Sequence, residues 1–165
     1  MRRLFAAGPV LLVTVLGCAT PEAKAPNPTH PLEEHRALAV IAQAYKDAGA
    51  TATDGRVVRL ASGRTVRVDV STEGRRYGVA YLTEADQSSL DPKTDLPPHL
   101  AGGDLPVVQG AGTDVDAVIL LLFAEDYQYD DFVGTGREAS GIAAERKLAR
   151  DVRDFLAQAK LRQLP

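Results

Sequence analysis

The chain has 165 residues, of which 45% are hydrophobic and 25% charged, with a single cysteine and a formal net charge of −3. One cysteine excludes an internal disulfide, and the acidic balance, with basic residues scattered along the chain, argues against nucleic acid as a partner. Without residues 1–17, which hold two of the 19 basic residues and none of the 22 acidic ones, the formal charge is −5.

The amino-terminal segment has the pattern of a secretory signal. Arg2 and Arg3 precede an apolar run over residues 4–16, which is shorter than the roughly 20 residues of a membrane-spanning helix. Val15-Leu16-Gly17-Cys18 resembles the lipobox of bacterial lipoproteins. This resemblance implies that residues 1–17 are removed and that Cys18 carries the lipid. Ala19, where Asp would retain a lipoprotein in the inner membrane, implies an outer-membrane address. The alternative is a chance match, with cleavage at a nearby small residue and a soluble periplasmic product.

Residues 18–31 are predicted to form an extended tether. This stretch contains prolines at positions 21, 26, 28 and 31 and no large apolar side chain. At about 3.1 Å per residue it reaches up to roughly 40 Å from a membrane. Residues 32–165 are predicted to form a single domain.

The domain opens with a predicted helix, followed by three predicted strands. Leu38, Ile41 and Tyr45 recur at helical spacing, and Gly49 marks the end of the helix. Strands are expected at about 56–60, 65–71 and 76–83, as an antiparallel meander with turns at residues 54–55, 62–63 and 73–74. In the middle strand Val66, Val68 and Val70 are expected on one face, with Arg67 and Asp69 on the other.

The second half contains a long connection, two strands and a final helix. Residues 84–106 are predicted to be a connection that either covers a site or forms a surface arm. Val107 and Val108 indicate a short strand. The apolar run at 117–124 indicates a central strand covered on both faces, although a buried helix remains an alternative. The last helix is expected from Thr135, with Glu138 completing a capping box, to about Leu164. The predicted fold class is α+β, with an antiparallel or mixed sheet of four to five strands packed against an N-terminal and a C-terminal helix.

No recognised catalytic motif is present in the sequence. His30, His35 and His99 lie far apart without zinc-ligand spacing, and the Ser-Gly pairs lack a histidine placed to activate them. A helix followed by a three-strand meander with Asp69 on the second strand is also how restriction-like nucleases begin. Residues 79–83 on the third strand contain no lysine, so we do not adopt that interpretation. The prediction is a non-enzyme without a cofactor.

Four carboxylates crowd the segment after the apolar strand: Glu125, Asp126, Asp130 and Asp131, interleaved with Tyr127 and Tyr129. Exposed tyrosines ringed by acids are typical of a protein interface, whereas clustered oxygens suit a divalent cation or a small ligand.

The sequence therefore predicts an outer-membrane-anchored lipoprotein that faces the periplasm and serves as a non-catalytic interaction or structural module of an envelope assembly. Its partners would be the membrane, through the lipid on Cys18, and an envelope protein. A periplasmic binder of a small ligand or divalent cation at residues 125–131 is the alternative, and a hydrolase with an unrecognised site is a third hypothesis.

Overall fold

The structure, a computed structural model, describes residues 28–74, 76–97, 105–130 and 140–162. In chain order the elements are β1 (Thr29–Pro31), α1 (Glu34–Asp47), β2 (Ala52–Arg59), β3 (Thr65–Thr72), β4 (Tyr77–Leu82), α2 (Glu84–Ser88), β5 (Val107–Gln109), β6 (Val118–Phe123), β7 (Gln128–Asp130) and α3 (Ser140–Arg162). The predicted α+β class is confirmed. Among the described residues, no helix is both long and apolar enough to cross a membrane.

The main sheet has five strands in the order β2-β3-β4-β6-β5. Its first three strands form the predicted antiparallel meander. β6 then pairs in parallel with β4, and β5 pairs antiparallel with β6, so the sheet is mixed. The parallel pairing requires a long crossover between β4 and β6, which is the connection seen in the sequence.

The central strand β6 supplies both hydrophobic cores. All six of its residues are buried. Val118, Leu120 and Leu122 pack on the side of the helices, whereas Ile119, Leu121 and Phe123 pack on the opposite side of the sheet. This alternation confirms the predicted strand with two covered faces.

The helices α1 and α3 cover one face of the sheet and run parallel to each other. Near their first turns Arg36 Nε lies 2.5 Å from Glu145 Oε1, and further along Arg153 lies 3.8 Å from Asp47. Their buried stripes match the predicted spacing: Ala37, Ile41, Ala44 and Tyr45 in α1, and Ala144, Leu148, Val152, Phe155 and Ala159 in α3. The predicted helix start and capping box at Thr135 and Glu138 lie outside the described residues.

The connection after β4 covers part of the second core. Leu90 and Leu96 pack on the cluster that contains Leu121 and Phe123. The carboxylate of Asp95 is fully buried, accepts a hydrogen bond from the Asp91 N–H at 2.9 Å and lies 3.6 Å from Arg64. The described part of this connection, residues 84–97, is therefore a packed cover rather than a free arm.

The two edges of the sheet meet at one end. Leu60, just after β2, forms an antiparallel bridge with Gly110, and the Ala111 N–H donates to the Arg59 carbonyl at 2.8 Å. Arg56 also hydrogen-bonds Asp114. Because open strand edges invite pairing with other chains, this closure protects the carboxyl end of β2.

The predicted tether needs one correction at its end. Thr29–Pro31, assigned from the sequence to the extended tether, form β1 and pair antiparallel with β7. The next residue, Leu32, is buried, and its N–H donates to the Tyr127 carbonyl at 3.0 Å. Pro31 therefore closes a small two-stranded sheet before the helix begins, and the folded part starts earlier than residue 32.

Candidate functional site

The described carboxylates of the acidic segment after β6, those of Glu125, Asp126 and Asp130, do not form a metal-binding group. Glu125 and Asp126 are exposed on a 3₁₀ turn, Ala124–Asp126. The Asp130 backbone is fixed to the start of α3, since the Ser140 hydroxyl donates to the Asp130 carbonyl at 2.8 Å. Asp131 lies outside the described residues. Within the described ranges no three His, Cys, Asp or Glu side chains are placed to hold a metal ion.

The expectation that Tyr127 is exposed is wrong. Its side chain is only 3% exposed and belongs to the helix-side core. The hydroxyl donates to Asp151 Oδ2 at 2.8 Å, and the Lys147 ammonium lies 4.2 Å from the ring centroid. Burial, reinforced by the Asp151 carboxylate, raises the pKa of Tyr127. Tyr127 therefore joins the chain segment after β6 to α3 and offers no ring to a partner.

Tyr129 is half-buried and packs between elements of the domain. The His30 ring centroid lies 4.1 Å from its own, and the Arg36 guanidinium carbon lies 5.4 Å from it. These contacts join β1, β7 and α1. Tyr127, Tyr129 and Asp130 of the acidic segment thus connect elements within the domain.

A second location combines irregular backbone with polar side chains. Val66 and Val68 lie in one core but Val70 lies in the other, which breaks the alternation predicted for β3. The ladder to β4 contains only the pairs Val70–Val79 and Ser71–Gly78. Beyond them the Tyr81 N–H donates to the Asp69 carboxylate at 2.8 Å, not to the β3 backbone. A local bulge at Asp69 therefore separates β3 from β4, as bulges do near many binding sites.

Gly55 lies opposite this bulge. The sequence pattern indicated a turn at Asp54-Gly55, and that prediction is wrong because both residues lie inside β2. A Cβ atom on Gly55 would lie 1.8 Å from the Val68 carbonyl oxygen. Only glycine lets the two backbones approach this closely.

Two grooves open beside the bulge and share Val57, Arg67 and Asp69; we call their union the Asp69 cleft. The smaller groove, about 170 Å³, extends toward α2, and its wall includes Leu82, Asp86 and Leu90. The larger one, about 560 Å³, extends toward the start of α1, and its wall includes Glu34 and Leu38. Because the two grooves share three lining residues, we treat them as one elongated cleft.

Charge in the Asp69 cleft is mainly negative. Arg67 hydrogen-bonds Glu34 and also donates from Nε to Asp69 Oδ1 at 3.1 Å. Asp86 caps α2 by accepting from the Thr83 N–H at 3.0 Å. The charged lining residues are four carboxylates, of Glu34, Asp54, Asp69 and Asp86, and two guanidinium groups, of Arg56 and Arg67.

The Asp69 side chain is only 5% exposed. Burial raises its pKa, although the Tyr81 N–H and Arg67 oppose that shift. The neighbouring Asp69 and Glu34 carboxylates raise the pKa of Arg67. The buried surroundings of the Asp69 carboxylate thus disfavour its charged form.

We predict a pH signature for Asp69. A carboxyl whose pKa is higher in the folded state than the unfolded value of about 3.9 destabilises the fold progressively as pH rises above about 4. Asp69→Asn, which keeps an oxygen for the Tyr81 N–H, should therefore gain stability relative to the unaltered chain between pH 4 and 7. Urea unfolding at a series of pH values measures this difference.

Asp114 provides the control of opposite sign. The hydrogen bond from Arg56, with that from the Arg59 N–H, lowers its pKa, so its contribution to stability appears as pH rises toward about 4 and stays constant above. Asp114→Asn should lose stability relative to the unaltered chain over that lower range. Equal slopes for the two variants would contradict the assignment.

The sequence contains only part of the signal for the Asp69 cleft. An acidic residue alternating with valines, and a glycine within a β-branched run, could have suggested a bulge. The sequence places Asp69 with Arg67 on the face of the strand opposite the valines and at a nuclease-like position, but does not indicate a cleft. The contribution of Glu34 and Asp86 depends on the packing of α1 and α2 and is not visible locally.

Comparisons with family models, curated proteins and solved structures found no match to this chain. The functional argument below therefore starts from the residues and geometry of this chain.

Proposed function

We propose that the protein is a lipid-anchored component of the bacterial cell envelope that binds a partner protein through the Asp69 cleft, without catalysing a reaction. The anchor is the lipid on Cys18, in the outer membrane and facing the periplasm. The lipobox resemblance supports this address. The domain that follows presents an elongated surface cleft, which suits an extended segment of another protein.

The main observation that supports the proposal is the exposure of Val57. Val57 is 61% exposed and lies where the two grooves join. Leu38, partly buried against the helix-side core, adds apolar wall to the larger groove, whereas Leu90 in the smaller groove is only 4% exposed. Exposed apolar surface bordered by charged side chains is typical of a protein interface.

The charge of the Asp69 cleft indicates which kind of partner segment is complementary to it. The four carboxylates of the cleft outnumber its two guanidinium groups, so an extended segment with a basic side chain is complementary to it. The described part of the acidic segment, residues 125–130, offers less to a partner, because Asp130 is bonded to Ser140 and Tyr127 is buried.

Site-specific photocrosslinking in cells tests the proposal. A photoreactive amino acid replaces Val57 or, as the matched control, Val115, which is 52% exposed and lines neither groove. We expect a protein adduct of defined mass from position 57 and none from position 115. Arg67→Glu, which replaces one of the two cations of the cleft with a carboxylate, should raise the yield of that adduct about tenfold or more.

The control position, Val115, and the Arg67→Glu variant are both needed to interpret the adduct from position 57. Equal adducts from both positions, or an adduct at position 57 that Arg67→Glu leaves unchanged, would show that the cleft is not the binding surface. Adducts with lipid alone at position 57 would also contradict the proposal.

A further inference from the structure

One side of α3 carries cations and exposed apolar side chains but no acid. The residues recur at spacings of one, three, four or seven, which places them within about a third of the helix circumference. We call them the α3 stripe: Ile142, Arg146, Arg150, Arg153, Lys160 and Leu161. All six are exposed, and the exposed fraction is 42% for Ile142 and 83% for Leu161.

Of the three acids of α3 that lie to either side of the stripe, Asp154 is exposed, whereas Glu145 and Asp151 are engaged. Glu145 pairs with Arg36, and Asp151 accepts from Tyr127. Arg150 lies 3.9 Å from Asp151, Arg153 lies 3.8 Å from Asp47, and Lys160 donates to the Ala48 carbonyl at 2.8 Å. Exposed pairs of this kind are weak and leave the cations at the surface. The stripe is thus a positive strip on a domain of negative net charge.

The stripe begins beside the place where the amino-terminal segment enters the fold. Position 141, a glycine, lies close to Tyr129 of β7, and β7 pairs with β1. Fully extended, residues 18–28 span at most about 35 Å. Residues 142–161 of α3 span about 28 Å, so a lipid on Cys18 keeps the whole stripe within reach of the membrane surface.

We propose that the α3 stripe lies on the membrane that holds Cys18 and binds its anionic phosphate headgroups; this inference rests on the lipid anchor of the proposed function. The four cations face the headgroups, and Ile142 and Leu161 enter the interface at the two ends of the stripe. Clusters of basic residues beside a membrane attachment point bind anionic lipids in this way, and apolar side chains strengthen the contact. The acidic remainder of the domain then turns away from the lipid.

Fluorescence of the lipidated protein in nanodiscs tests this inference. Cys18 is the only cysteine and carries the lipid, so Leu161→Cys offers a single free thiol for a polarity-sensitive dye. With discs containing phosphatidylglycerol we expect a blue-shifted emission that salt reverses, and with phosphatidylcholine alone we expect none. A dye on Val115→Cys should report no difference between the two discs.

A variant with two reversed charges tests the role of the arginines in the stripe. Arg146→Glu with Arg150→Glu should weaken the anionic-lipid signal at least about tenfold, and Arg146→Gln with Arg150→Gln should weaken it less. Circular dichroism checks that α3 stays folded in both variants.

The assay separates the two proposals. If the protein migrates with the discs but the dye at position 161 responds equally to both lipids, the anchor stands and the stripe inference is overturned. A response that requires an added acidic protein also overturns it. If the protein does not migrate with the discs, the anchor fails, and the stripe inference fails with it.

Discussion

Gly55→Ala is expected to destabilise the domain by at least about 3 kcal/mol. The added Cβ would lie 1.8 Å from the Val68 carbonyl oxygen and 2.6 Å from the Asp69 carbonyl carbon, and both neighbours are backbone atoms that no side-chain rotation can move. The variant must therefore open the β2–β3 pairing or lose the bulge. Urea unfolding followed by circular dichroism measures the change.

Gly74→Ala is the matched control for this prediction. Gly74 has a φ of 81° but no atom within 4 Å of an added Cβ, so the substitution costs only the strain of the left-handed conformation, about 1 kcal/mol. Similar losses in the two variants would mean that close backbone contact at Gly55 is not what maintains the bulge. A large loss at Gly55 should also abolish crosslinking from position 57, because that side chain depends on the same strand.

Cys18→Ser is expected to abolish incorporation of a palmitate analogue and to leave the signal segment uncut. The reason is chemical: the proposed lipid would be joined to the cysteine sulfur, and the serine hydroxyl does not replace that nucleophile. Membrane fractionation, gel labelling and mass spectrometry of the amino terminus measure the effect.

Ala19→Asp is the control for the lipid prediction. It retains Cys18 and should keep the lipid, but by resemblance to lipoprotein sorting it should move the protein to the inner membrane. A mature chain with an unmodified Cys18 thiol, or one that starts after residue 18, would falsify the anchor.

Elements with one strong local pattern were predictable from the sequence. The helical spacing of Ile41 and Tyr45 and of Leu148 and Val152 specified α1 and α3. The continuous apolar run of β6 required two covered faces. The parallel pairing of β6 with β4 was not predicted, because it depends on the path of a crossover rather than on local spacing.

Two of the errors at the candidate sites, the face of Val70 and the exposure of Tyr127, have a common physical cause. Val70 follows Val66 and Val68 in alternation, and Tyr127 lies between acids, so local polarity predicted a shared face for the first and exposure for the second. The bulge at Asp69 turns Val70 to the other core, and the 3₁₀ turn at Ala124–Asp126 directs Tyr127 inward. Backbone irregularities of one residue reverse the direction of a side chain, and the sequence signals for them are weak.

The pairing of β1 determines how the domain would respond to a pull transmitted along the chain from the proposed lipid on Cys18. Any pull along the amino-terminal segment reaches Thr29 first and is resisted by three residue pairs with β7. Behind them, the Leu32 backbone is hydrogen-bonded to both the Tyr127 carbonyl and the Tyr81 hydroxyl, deep in the core. A pull is thus transmitted to the buried core, and the folded domain resists it from residue 29 rather than from the first helix. With the proposed lipid on Cys18, this attachment would restrict how the domain rotates relative to the membrane.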